Sequence, residues 1–135
     1  MQIRWTQCRS YDEARSFSGV VYLHEWHGKP FYWGMCDKSV FGGNPRKLGG
    51  KRRNPRYGSS YRHWIDGCLQ HGGKLYMGTP PGKTGFSLED VERTLIALYP
   101  SNLNDRNDGR LIIRDMEHRG DVPVSISWYH AQSVS

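Results

Sequence analysis

The chain has 135 residues, 36% of them hydrophobic and 13% aromatic, which suffices for one domain with its own core and excludes a disordered polymer. A formal charge of +6 favours a polyanionic partner, either nucleic acid or an acidic membrane surface. Three widely spaced cysteines, Cys8, Cys36 and Cys68, contain no Cys-x-x-Cys pair, which argues against a disulfide framework and against a zinc finger.

In chain order, Met1 to Ser16 is charged and polar and does not read as a signal peptide. No apolar run approaches the roughly 20 residues that span a bilayer, so a soluble, cytoplasmic chain is expected. Gly19 to Glu25, rich in Val and Tyr, and the aromatic run Phe31 to Cys36 flank His27-Gly28-Lys29-Pro30 and read as a β-hairpin. Alternation in the first strand puts Val20 and Tyr22 on one face, Val21 and Leu23 on the other. Ser59 to Gln70 reads as a helix with an apolar stripe of Tyr61, Ile65, Cys68 and Leu69, closed by Gly72-Gly73. Lys74 to Met77 is a short strand. Ser87 with Asp90 three residues later resembles a capping box, with Asp shorter than the preferred Glu or Gln, for a second helix on which Leu88, Val91, Leu95 and Leu98 recur at helical spacing and which Pro100 closes. Glu92 stands at the edge of that stripe. Leu111 to Ile113 and Val122 to Trp128 read as strands completing a sheet. The expectation is a single α+β domain over residues 1–135, with its core over 18–104, a basic loop over 38–58 and C-terminal strands within 110–128.

The charge is concentrated. Between Asp37 and Asp66 there is no acidic residue, and the stretch carries Lys38, Arg46, Lys47, Lys51, Arg52, Arg53, Arg56 and Arg62. Interspersed Gly and Pro make this a long loop, which in a compact domain is usually functional or disordered. Basic side chains there would grip phosphates by displacing counterions, fixing position without reading sequence. One phosphate-loop look-alike fails. Gly78-Thr-Pro-Pro-Gly82-Lys83-Thr84 has three residues between its glycines where a nucleotide loop needs four, and its two prolines lack the N–H donors. Lys83 remains as a further DNA-backbone contact.

Taken together, Val20-Val21-Tyr22, Tyr32-Trp33-Gly34, Arg62 in the first helix, Glu92 in the second and Asn104 beyond it resemble the GIY-YIG nuclease family, over roughly Ser18 to Asn104. The departures are Val20 in place of the first glycine, Trp33 in place of a small aliphatic residue, and the long loop before Arg62, which leaves Arg56 as a competitor for the catalytic arginine. The resemblance implies a metal-dependent DNA endonuclease of restriction or mobile-element type. Glu92 would hold one Mg²⁺ or Mn²⁺, Arg62 would hold phosphate oxygens, and Asn104 would anchor substrate or brace the site. Tyr22 or Tyr32 would orient or deprotonate the attacking water, the resemblance favouring Tyr22 as base and Tyr32 as its hydrogen-bonding partner. His63, beside Arg62, would touch the phosphate or serve as base. His24 and His27 are not expected to share an ion. Duplex DNA is the expected partner, with a homodimer or two successive nicks needed for double-strand cleavage. Two alternatives stand beside this reading: a non-catalytic nucleic-acid-binding module on the same scaffold, and a single-strand- or RNA-directed nuclease using Trp26, Trp33 and Trp64 to stack bases.

Overall fold

The computed structural model describes residues 1–37 and 59–128. Lys38, Arg46, Lys47, Lys51, Arg52, Arg53 and Arg56, and with them the basic loop, lie outside the described residues.

The elements are β1 (Gln2–Cys8), α1 (Tyr11–Ala14), β2 (Val20–Trp26), β3 (Lys29–Cys36), α2 (Ser59–Gln70), β4 (Lys74–Thr79), α3 (Leu88–Leu98), a 3₁₀ turn (Arg106–Asp108) and β5 (Glu117–Gly120). The strands form one five-stranded sheet in the order β3-β2-β4-β1-β5. β1 and β5 run parallel, and every other neighbouring pair is antiparallel. The fold is therefore α+β, with helices on both faces of a mixed sheet.

The hairpin forms where expected. Its turn residues His27 and Gly28 have φ values of 54° and 73°, the left-handed pair that matches a two-residue turn to the twist of its strands. Trp26 pairs directly with Lys29 across it. The alternation along β2 is also as read. Val20 and Tyr22 join a cluster with Cys8, Ala14, Cys36, Ile65, Leu75 and Met77 on the side of α1 and α2. Val21 and Leu23 join Ile3, Trp5, Trp33, Tyr76, Val91 and Leu95 on the side of α3. Because both faces are covered, β2 is buried along nearly its whole length.

Helix boundaries follow their local chemistry. Gly72 takes φ 96°, and the Gly73 N–H donates to Cys68 O at 2.8 Å, closing α2 in the glycine-capped manner. At α3, Ser87 Oγ accepts from Asp90 N and Asp90 Oδ2 accepts from Ser87 N, both at 3.0 Å, so the capping box is complete.

Both ends of the chain differ from the sequence reading. The polar N-terminal segment contributes β1, whose alternate residues Ile3 and Trp5 are buried. Of the C-terminal strands expected within 110–128, neither Leu111 to Ile113 nor Val122 to Trp128 is one, and the stretch supplies β5 instead. Residues 111–113 are not in the sheet; Thr94 Oγ1 on α3 accepts from Ile112 N at 3.3 Å and Ile113 N at 3.2 Å. Residues 124–128 are helical despite the alternating pattern Val122-Pro-Val-Ser-Ile-Ser-Trp128. The overriding contact is distant in sequence: buried Glu25 accepts from Ser125 N at 2.9 Å and Ser125 Oγ at 2.8 Å. The short, charged β5 forms the sheet edge opposite β3. Among the described residues no helix is long and apolar enough to cross a membrane.

Candidate active site at the edge strand

Tyr22 on β2 pairs with Gly34 on β3. The tyrosine is 5% exposed, and its ring lies across the neighbouring strand, over the bare Cα of Gly34. A Cβ on Gly34 would fall inside that ring, 2.7 Å from Cε2. The glycine of the second tripeptide therefore makes room for the tyrosine of the first, and its absent side chain lets the phenol lie over the edge strand. Tyr32, on the same face, is half-buried with its ring centroid 6.3 Å from that of Tyr22.

His24 continues this aromatic row, edge-on to Tyr22 at 5.6 Å and to Trp64 of α2 at 5.2 Å. Burial pushes its pKa down to about 4, and its Nε2 has no hydrogen-bond partner among the described residues. At neutral pH it is an uncharged ring and a weak proton acceptor. His27 is exposed in the hairpin turn, whereas His24 is buried in β2.

Arg62 stands in α2, on the Tyr22 side of the sheet. It is ion-paired to Asp12 at 2.9 Å, and its guanidinium lies 4.7 Å from the centroid of the Tyr11 ring. His63 follows it but is exposed, and Trp64 is 42% exposed while its ring covers His24.

Asn104 lies along the outer edge of β3. Its Oδ1 accepts from Trp33 N at 2.7 Å and its Nδ2 donates to Trp33 O at 3.0 Å, satisfying a backbone pair that no further strand meets among the described residues. Ser101 Oγ donates to the same Oδ1, and Leu103 N donates to Phe31 O at 3.1 Å. Asn104 is thus a brace for the strand that carries Tyr32 and Gly34.

Glu92 is half-buried on α3. Desolvation, then the negative charges of Glu89 and Asp108, push its pKa up to about 7, with Arg93 opposing. Arg93 is itself ion-paired to Glu89. Ile96, one helical turn beyond Glu92 on the same flank, lines a groove with Ala97, Pro100, Ser101 and Asn104. Through Asn104 this groove adjoins the braced strand β3, and Glu92 is not among its lining residues.

The sequence-predicted residues thus fall into two groups. Tyr22, Tyr32 and Arg62 occupy the α2 face, while Glu92 belongs to α3 on the opposite face. Tyr22 lies over Gly34 of β3 and Asn104 lies along that strand's edge, while the charged neighbours of Glu92 are Glu89, Asp108 and Arg93. Lys83 is exposed in the turn after β4. Among the described residues no three His, Cys, Asp or Glu side chains form a metal-binding group. Mg²⁺ keeps several waters and would ask of Glu92 a single carboxylate, here half-buried and raised first by desolvation and then by like charges. Tyr11 and Asp12, which grip Arg62, escaped the sequence reading because they meet it from 50 residues away in sequence, with no local motif to announce them. No family model matches the chain, and neither a curated protein nor a solved structure matches it.

Proposed function

We propose that this chain is a metal-dependent endonuclease that hydrolyses phosphodiester bonds of duplex DNA at the β3 edge. The observation that carries the reading is the Tyr22 ring laid across Gly34, which couples the two tripeptides and lays a phenol over the edge strand. The hairpin, the helix bearing Arg62 and the capped helix bearing Glu92 support it, in the order the GIY-YIG resemblance implies.

Phosphodiester hydrolysis requires a deprotonated water, neutralisation of charge on the phosphate, and stabilisation of the leaving oxygen. Glu92 would hold the divalent cation, which when bound polarises the phosphate and stabilises the leaving oxygen. Arg62 presents donors that match phosphate oxygens and remains charged throughout the physiological range. Tyr22 orients the water and takes its proton, a task that needs nearby positive charge because a free phenol has a pKa of about 10. His24 does not compete for that proton, because burial weakens it as a base. Tyr32 supports Tyr22 by its position on the same face. Asn104 fixes the backbone beneath both.

Supercoiled plasmid incubated with Mg²⁺ or Mn²⁺ tests the reading. Nicked circles are expected first, since one such centre cuts one strand, and linear DNA requires a dimer or a second nick. Glu92→Ala should abolish cutting. Intact plasmid with wild-type protein, or cutting by the variant at the parental rate, contradicts it. Salt-sensitive binding without cleavage identifies the non-catalytic module instead.

A further inference from the structure

We propose that Asp12 is a positioning residue for Arg62, so that a segment preceding the nuclease-like core completes the phosphate site. This rests on the endonuclease reading above.

The argument begins with how α1 is held. It is a single turn, capped by Ser10 Oγ accepting from Glu13 N at 3.2 Å, and would not persist alone. Asp66 on α2 docks it by accepting from Tyr11 N at 2.9 Å. Asp66 lies one helical turn beyond Arg62, so this bond sets α1 against the stretch of α2 from which Arg62 projects. Two consecutive α1 side chains then reach Arg62. Asp12 Oδ1 accepts from Nη1 at 2.9 Å, and the Tyr11 ring stands 4.7 Å from the guanidinium carbon. A carboxylate and an aromatic ring together restrict a side chain that would otherwise be free to rotate. Asp12 also meets Arg15 at 3.6 Å, one turn along α1, which restrains the carboxylate.

An ion pair this exposed adds little to stability, so its consequence is orientation. A guanidinium has five donors, and a single Asp12 oxygen on Nη1 leaves others for a phosphate. Asp12 thereby turns Arg62 from one more surface cation into a fixed one. Fixing matters more in the transition state than in binding, because a misplaced charge still attracts DNA but stabilises the developing charge poorly.

Steady-state nicking with Mg²⁺ tests this, using wild type, Asp12→Asn and Asp12→Glu, each also in an Arg62→Gln background, with circular dichroism confirming folding. Asp12→Asn is expected to lower kcat about tenfold while KM for DNA does not rise, since a negative charge near the phosphates has been removed. Asp12→Glu should restore most of kcat. In the Arg62→Gln background, Asp12→Asn should have no further effect. An unchanged kcat in Asp12→Asn, or an equal loss with Arg62 absent, overturns the inference while leaving the endonuclease reading intact. Wild-type protein that nicks no DNA overturns both.

Discussion

Glu92 shows how one residue records conflicting demands. Its pKa of about 7 in the folded chain lies above the ordinary 4.5, so folding favours the protonated form. The associated stability is fully present below about pH 4.5 and is lost as pH rises through 7. Glu92→Gln should therefore stabilise the protein at pH 8 relative to wild type by about 1–2 kcal/mol, after discounting for partial exposure, and leave it little changed at pH 4.5. Urea titrations at the two pH values check this. An equal effect at both would mean that the burial and the Glu89 and Asp108 charges do not act on this carboxylate. Gain of stability together with loss of activity is the expected signature of a residue kept for chemistry. Cation binding opposes the shift, so Mg²⁺ should narrow the difference at pH 8. Sequence spacing placed Glu92 at the edge of the α3 stripe, but not its acidic surroundings, because Asp108 arrives from a separate turn.

At the scale of elements, β3 is an edge strand of the sheet among the described residues, and the segment 101–104 lies against it. Asn104 imitates a strand partner with one side chain, meeting both polar groups of Trp33. Asn104→Ala leaves both to find water in a partly closed site, and should cost about 1–3 kcal/mol of stability. The Trp33 amide should then exchange faster with solvent while amides of β4, deep in the sheet, are affected only through global unfolding. Amide exchange measured by NMR decides it, and unchanged protection at Trp33 would assign the brace to Leu103 rather than Asn104. The hairpin, α2, β4 and α3 were legible because each carries its own signal: a Gly-containing turn, an apolar stripe, a capping box. The elements at the two ends were not. The alternation of Val122 to Trp128 is as regular as that of any strand, yet buried Glu25, on β2, holds the Ser125 N–H at the start of a helix. β1 was missed because only Ile3, Trp5 and Cys8 of its residues are buried and the intervening ones are polar. β5 is four residues long and largely exposed, with no hydrophobic pattern to reveal it.

For the whole molecule, the sheet divides two hydrophobic clusters, and the proposed chemistry draws on both. Tyr22 comes from the cluster under α1 and α2, Glu92 from the helix over the other. The central claim is that they form one centre around the edge strand. Groups that act as a unit give grossly non-additive losses, because removing either already disables the step. Plasmid nicking with Mg²⁺ by wild type, Tyr22→Phe, Glu92→Gln and the double variant measures this directly. Each single substitution is expected to reduce the nicking rate at least about a hundredfold, with the double variant no slower than the worse single one. Two losses that multiply in the double variant, or wild-type protein that leaves the plasmid supercoiled, would contradict a shared centre at the β3 edge.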